Sequence, residues 1–507
     1  MTYNLKAPNA LKTSILLPSS KSISNRVLIL NALCDHPKEI NNISDCDDTR
    51  AVIKALKENN NIDIGAAGTA MRFLTAYLSG QKGKYTITGT KRMKSRPIKI
   101  LVDALRSVGA NIKYVGKEGF PPLMIEGQTL KGGEIHLDGG VSSQYISALL
   151  MLAPTMTNGL RMHLSGDIIS RPYIDLTLQL MQKFGVDVFE EGQTFNIPPQ
   201  HYSPAENFTV ESDWSAASYW YEVVALSQND TATISLSGLL TDSAQGDAYI
   251  ADFFDKLGVR TEFTSSGVTL TKKQRTVNET LIFDFVAMPD MAQTAAVTCA
   301  MLDISFKFSG LQSLKIKETD RLSALQTELR KFGYILEIRN DNALEWNGKK
   351  CKAEALPVVA TYEDHRMAMA FAPVSLCLKN GINVADPEVV SKSYPSFWDD
   401  LQKAGFLIRE IAPDCCGEHD VCERDSLMAA ASKEIEYYDD EELDIYSGIA
   451  SGDFDEKAIE EFSEVLYTLR EEEVSGWLRS LQLRNINLPD KLKDEAFLII
   501  EERRENL

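Results

Sequence analysis

No apolar run in the sequence approaches the roughly 18 residues that a membrane-spanning helix needs. The opening stretch, MTYNLKAPNALKTSILLPSS, has neither a secretory h-region nor a small-residue cleavage site. A cytoplasmic protein without a membrane partner is expected. Cysteine is scarce, with 8 in 507 residues. Cys34, Cys46, Cys299, Cys351 and Cys377 are scattered through the first 410 residues, a pattern of reduced thiols rather than of a disulfide framework. Positive charge is also in deficit: 53 Lys and Arg face 72 Asp and Glu, a net charge of −19. A protein that coats nucleic acid carries a basic surface, so no nucleic-acid partner is expected. The remainder, 44% hydrophobic and 25% charged, is ordinary globular composition and excludes collagen-like or wholly disordered chains. The length suggests about three domains.

The acidity is not spread evenly. Residues 411–507 hold 27 acidic and 10 basic residues, net −17, which leaves 45 against 43, net −2, for residues 1–410. The break marks a boundary near residue 411.

Within the first 410 residues a unit recurs, read as an amphipathic helix, a glycine, a strand, a turn and a second strand. Its helix-ending glycines are Gly109, Gly185, Gly258, Gly333 and Gly405, spaced 76, 73, 75 and 72 residues apart. Each unit also contains a more uniformly apolar helix, such as TAMRFLTAYL or DMAQTAAVTCAML. These begin near Ser24, Thr69, Ser142, Ser215, Asp290 and Asp364, with gaps of 45, 73, 73, 75 and 74. A helix apolar on every face is buried on every face. Six α/β units, one of them shortened, account for residues 1–410.

Polar residues gather where the buried helices start. Ser, Thr and Asp there serve as N-caps, but Arg26, Arg72, Gln144, His365 and Arg366 exceed what a cap requires. Helix N-termini with added cations suit a ligand carrying several negative charges. The basic segments KSISNR, KRMKSRP, KIKETDR and DHR add forks for phosphate and carboxylate. GAAGTAMR lacks the Gly-Lys-Ser/Thr ending of a P-loop, which argues against a nucleotide triphosphatase.

KSISNR, GAAGTAMR, KRMKSRP, VSSQY, SRPYIDLT, KIKETDR, DHRMAMAF and the ending DP…SKSYPSFW follow one another over residues 1 to about 409. Together they closely resemble the 5-enolpyruvylshikimate-3-phosphate synthase family. The resemblance implies a two-domain inside-out α/β barrel of six βαβαββ units, followed here by a small acidic, mainly helical extension. Residues 1–18 and 212–410 would form one domain, 19–211 the second and 411–507 the extension. The chain would cross between domains near Leu17–Lys21 and Thr209–Asp213, with the site in the cleft. The implied reaction transfers the enolpyruvyl group of phosphoenolpyruvate to the 5-hydroxyl of shikimate 3-phosphate and releases phosphate. It needs no metal and no organic cofactor, and a monomer suffices for it.

Carried over by position, Lys21, Ser22, Arg26, Ser142, Ser143, Gln144, Ser170, Tyr173, Asp290 and Lys317 would bind shikimate 3-phosphate. Lys21, Gly68, Arg96, Gln144, Arg321, Arg366 and Lys392 would bind phosphoenolpyruvate. Asp290, Glu318 and Lys21 are the candidates for proton transfer. As plain helix caps, Thr319, Asp290 and Asp364 would instead leave Glu318 and Arg321 as a surface pair of little worth. Three departures from the family pattern stand out: Ala66 and Ser313 where many relatives have Asn, and Trp214 where a small residue is usual. None removes a charged group. Gly68 leaves room for a phosphoenolpyruvate mimic, so sensitivity to glyphosate is expected.

Two rivals follow. UDP-N-acetylglucosamine enolpyruvyl transferases typically carry a catalytic cysteine in the loop matching GTKRMKSRPIK, which has none. A catalytically dead relative acting through its tail would have lost charged site residues, and all are present. In the tail, Cys415, Cys416, His419 and Cys422 have zinc-ligand chemistry within eight residues, but the adjacent cysteines lack the usual spacer. Reduced cysteines at a helix start are the alternative. The tail's remaining pattern is short amphipathic helices, and its partner is unknown.

Overall fold

The computed structural model describes residues 1–57, 60–277, 279–411, 437–438, 440–470, 473–493 and 495–496. The chain divides into two compact units, residues 1–412 and the residues that follow. The four tail positions Cys415, Cys416, His419 and Cys422 lie outside the described residues.

The 74-residue period corresponds to a repeated four-stranded sheet. In one copy, strands Asn61–Asp63 and Gly83–Thr88 run parallel, joined through the buried helix Gly68–Gly80. Helix Lys99–Ser107 then leads to an antiparallel pair, Asn111–Tyr114 and Leu123–Gly127, and the second of these binds the parallel pair. Five sheets share this order. Two borrow from the N-terminus: Lys12–Leu16 lies parallel to Thr233–Ser237, and Thr2–Lys6 sits between Ile382–Ala385 and Leu407–Ile411. The short unit consists of helices Lys21–Ala32 and Asp47–Lys57, and near it only single bridges such as Asn41 to Thr209 replace a sheet among the described residues.

Several hydroxyls inside the buried helices are satisfied by the helix's own backbone. The Thr75 and Ser79 hydroxyls donate to the carbonyls of Met71 and Thr75 at 2.6 and 2.7 Å, and Thr298 donates to Thr294 at 2.7 Å. This lets the helices be enclosed on all sides without orphaned hydroxyls. The buried apolar residues form two cores in the first unit. One draws on Leu5 to Leu17 together with Trp214 to Phe406, the other on Ile23 to Val210. Where the chain passes between them, two segments run side by side: Ser20 N–H donates to Glu211 O at 2.8 Å and Asp213 N–H to Pro18 O at 2.9 Å.

The first buried helix begins at Lys21, three residues before the expected Ser24, because Ser20 accepts from Ile23 N–H. Ser24 lies inside the helix and accepts from Ser44 N–H at 3.0 Å instead. Trp214 opens its helix fully enclosed, against Phe263 at 6.3 Å. In the second unit, helices Glu456–Thr468 and Val474–Leu483 pack Phe462, Leu466, Trp477 and Leu481 together with Leu443. Arg484 there is buried against Asp440, and Trp477 Nε1–H donates to Asp440 at 2.8 Å.

All five helix-ending glycines adopt left-handed backbone, with φ of +107, +78, +94, +94 and +95° in chain order. At Gly109 an added Cβ finds nothing nearer than 3.6 Å, whereas at Gly258 it comes within 2.7 Å of the Lys273 carbonyl oxygen. Gly109→Ala is expected to destabilise by about 1–2 kcal/mol from backbone strain alone. Gly258→Ala should cost clearly more. Urea denaturation of both variants checks the ranking.

Candidate active site

One cleft collects almost every residue singled out in the sequence. Lys21, Ser22, Arg26, Gly68, Arg96, Ser142, Ser143, Gln144, Ser170, Tyr173, Asp290, Lys317, Glu318, Arg321 and Arg366 all line it. Lys392 reaches it through Glu318, its Nζ 3.0 Å from Oε1. These positions span more than 370 residues of sequence, from Lys21 to Lys392, and converge because buried helices begin at the cleft: Lys21, Gly68, Ser143 and His365 are each the first residue of a helix.

Arg26 is enclosed and largely occupied by protein. Its Nε–H donates to Thr177 Oγ1 at 2.7 Å, and its other nitrogens donate to the carbonyls of Ser22 and Tyr173 at 2.9 and 3.2 Å. Burial pulls its pKa down to about 10. It therefore fixes the backbone of two neighbours in the cleft. Gly68 begins its helix with no side chain, and a Cβ there would stand 2.6 Å from an Arg96 nitrogen and 2.7 Å from an Arg72 nitrogen. The two guanidinium groups stand closer to this helix start than a side chain there would allow without their moving. Ser142 and Ser170 occupy N-cap positions, yet neither hydroxyl caps its helix, and Ser170 has a left-handed φ of +57°. Both line the cleft instead.

The charged centre is built on Arg321, 1% exposed. It donates to Asp364 at 2.7 and 3.2 Å, to Asp290 at 2.8 Å and to Glu318 at 2.9 Å. Asp290 also meets Lys317 at 3.2 Å and Arg366 at 3.8 Å. Burial would raise the Asp290 carboxyl, but Lys317, Arg366 and Arg321 outweigh it and hold the group far below the usual carboxylate range. Glu318 is held down the same way, against burial, by Lys392, Arg321 and Arg96. Burial lowers Lys317, while Lys21 rises despite burial because of Asp48, 3.5 Å away.

The capping alternative for this segment fails. Asp320, not Thr319, caps helix Arg321–Lys331 by accepting from Ser323 N–H at 3.2 Å, and the Glu318–Arg321 pair is enclosed. Asp364 does cap, accepting from Arg366 N–H at 3.0 Å, while also holding Arg321. Across the cleft, Arg92 of KRMKSRP donates to the carbonyls of Glu318 and Lys317 at 2.9 and 3.3 Å.

A family model described as EPSP synthase (3-phosphoshikimate 1-carboxyvinyltransferase) matches residues 5–60 and 57–401. A 3-phosphoshikimate 1-carboxyvinyltransferase of Bacteroides fragilis is 58% identical over 411 residues, which is 81% of this chain and 99% of that protein. Its counterpart from a Sulfurovum species is 36% identical over 431 residues, covering 79% and 98%. The chain belongs to the EPSP synthase family. A solved EPSP synthase of Acinetobacter baumannii shares the mixed α/β fold, with a TM-score of 0.64 at 20% identity, covering 81% of this chain and all of that one. The family match ends before the acidic tail.

Some cleft residues of this EPSP synthase family member lay outside the sequence-derived set. Asp48, Thr69 and His365 line the cleft. Thr69 accepts from Gln144 at 3.1 Å. His365 is buried, and burial with Lys21 and Arg366 nearby keeps it well below its ordinary pKa. Only its place at a helix start hinted at it. Asp247, just behind the cleft, carried no signal in AQGDAY. It accepts from the Tyr173 hydroxyl at 3.1 Å and from Ser215, whose oxygen in turn accepts from Arg366 at 3.3 Å. Ser313, the departure noted above, has a buried hydroxyl without a hydrogen-bond partner.

Burial pushes the Asp247 carboxyl up to about 6, against the pull of Arg366 and Ser215. A raised acid favours the folded state while it is protonated. Its contribution is full below about pH 4 and is lost as pH rises through about 6. Asp247→Asn removes that loss, so its stability relative to wild type should climb between pH 4 and 7, by at most about 3 kcal/mol, and then level off. Urea denaturation at four pH values checks this, and parallel curves for the two proteins would overturn it.

Proposed function

We propose that the protein transfers the enolpyruvyl group of phosphoenolpyruvate to the 5-hydroxyl of shikimate 3-phosphate and releases phosphate. The observation that carries this is the convergence in one cleft of residues from seven of the eight motifs, with Lys392 of the eighth paired to Glu318, and with six lining cations, Lys21, Arg26, Arg96, Lys317, Arg321 and Arg366, against three carboxylates, Asp48, Asp290 and Glu318. A site with that excess suits two substrates that each carry a phosphate and a carboxylate.

Shikimate 3-phosphate lies along Lys21, Ser22, Ser142, Ser143, Ser170 and Lys317, with Gln144 and Tyr173 at its ring. Phosphoenolpyruvate takes the Gly68 helix start and the cations Arg96, Arg321, Arg366 and Lys392. The uncapping serines and the glycine that admits Arg96 support those assignments. Asp290 accepts the proton of the attacking hydroxyl, and Glu318, protonated once the substrates have taken its cation partners, gives a proton to carbon 3 as carbon 2 is attacked; in the elimination Glu318 takes a proton back from carbon 3, the double bond re-forms, and phosphate leaves with the proton held by Asp290. As ion-paired carboxylates both are weak bases. Substrate oxygens compete for the same cations, so binding withdraws Lys317, Arg321, Arg366 and Lys392 from the two carboxylates and raises their basicity where proton transfer is needed. Lys21 stays charged beside Asp48 and shares this work.

Residues 1–18 and 212–410 form one domain and 19–211 the other in this reading, with helices inside and sheets outside. The paired crossings at Ser20 and Asp213 serve as the hinge, and Arg92 joins the closed cleft, which excludes water and strengthens its ion pairs. Residues 411–507 are an appended acidic, mainly helical extension. The working compartment is the cytoplasm, in keeping with the five unpaired cysteines among the described residues.

The full chain supplied with both substrates is expected to release phosphate. Glu318→Gln and Asp290→Asn should each lower kcat by about 10²–10⁴-fold. Lys392→Met should act mainly on the KM for phosphoenolpyruvate. Absence of phosphate release by the wild type would overturn the assignment. Glyphosate is expected to inhibit in competition with phosphoenolpyruvate, and full activity in millimolar glyphosate would overturn the placement at Gly68.

A further inference from the structure

The chain has only six histidines, and two of them meet face to face on a sheet away from the cleft. His136 lies on strand Gly133–Asp138, and the parallel register pairs it with His163 on strand Leu160–Ser165. Glu134, two residues before His136 on the same strand, projects on the same face. The two imidazoles stack with centroids 4.7 Å apart and planes 13° from parallel. The ligand atoms of the three side chains all lie within 4.8 Å of one another.

We propose that Glu134, His136 and His163 form a binding site for a divalent transition-metal ion, zinc foremost. Two imidazoles and one carboxylate are a borderline donor set that suits zinc, copper(II) or nickel(II) and leaves a fourth position for water. The spacing fits. Ligands about 2.0–2.2 Å from one tetrahedral ion stand roughly 3.3–3.5 Å apart, and Glu134 Oε1 is 2.8 Å from His163 Nε2 and 3.5 Å from His136 Nε2. Glu134 and His136, the two exposed members, close the remaining difference by turning, with His136 leaving its stack on His163 so that both Nε2 lone pairs meet one ion.

Two further features make this more than a chance cluster. His163 Nε2 is shut off from solvent yet has no hydrogen-bond partner; its short approach to Glu134 is out of line for one. A buried polar atom in that condition is rare unless something else satisfies it. On the other side of the ring, Nδ1 lies 2.9 Å from Thr194 Oγ1, on the next strand. With Nδ1–H donating to that hydroxyl, Nε2 is left as the unprotonated nitrogen on the side of Glu134 and His136, and the Thr194 contact is the second one that metal-ligating histidines regularly make. A bound ion would tie the edge strand to its neighbour. Both strands run on toward Ser142 and Ser170, so occupancy should stiffen the base of those loops.

The test is calorimetric titration of zinc chloride into metal-free full-length protein, beside His136→Ala, His163→Ala, Glu134→Gln and Thr194→Val. Comparison with wild type isolates this site from the tail cysteines, which all five proteins share. Wild type is expected to bind one ion more than either histidine variant, and Thr194→Val to bind it about 10–100-fold more weakly. Zinc should also raise the Tm of wild type more than that of His163→Ala. Phosphate release should be unchanged in all variants, which also reports that they fold. Identical stoichiometry and affinity in wild type and His163→Ala would overturn the site. As a second readout, copper(II) bound to wild type should show two-nitrogen hyperfine coupling in its paramagnetic resonance spectrum, and a signal unaltered by His136→Ala would equally overturn it.

Discussion

The guanidinium of Arg321, shared among Asp290, Glu318 and Asp364, is the contact on which the cleft depends. Removing an arginine and three carboxylates from water is expensive, and only close pairing with well-aligned hydrogen bonds offsets it. Arg321 supplies that pairing from the first turn of one helix to the cap of another and to the turn that starts a third. Loss of either side would leave like charges buried together. The same set of ion pairs therefore holds the helix starts in register and stores the cations that anionic substrates would claim.

That arrangement is possible because of the repeated unit. Each copy encloses one apolar helix and aims its N-terminus at a common region, where unpaired N–H groups already favour negative charge. A single unit offers one weak anion site. Several units converging turn scattered caps and arginines into one strongly cationic cleft.

Some of this was legible in the sequence because it is written in local, periodic terms. The five glycines that end helices are required by a left-handed backbone conformation, and their spacing exposes the unit. Lys21, Arg96, Arg321 and Arg366 stand out as cations in segments that start or flank helices within a nearly neutral stretch. Asp247 and Asp48 were illegible, because an aspartate in a turn or a helix's first turn reads as a cap, and only packing brings one to Tyr173 and the other to Lys21. The misplaced helix start at Ser24 has a similar cause: two serines four residues apart are equal candidates to cap, and Ser44, twenty residues away, decided between them by bonding Ser24.

The sequence by itself determined the unit, its number of copies, the family and the list of charged residues available, since periodicity, capping and motif order are properties of neighbours along the chain. It also located the acidity in the last fifth, leaving a near-neutral enzyme body. Tertiary structure alone decided which charges meet. Whether Arg26 serves a ligand or the backbone, whether Glu318 is surface or centre, and whether His136 faces His163 depend on the register between strands and the approach of helices far apart in sequence. Those are distances of a few ångströms set by packing, and no spacing along the chain encodes them.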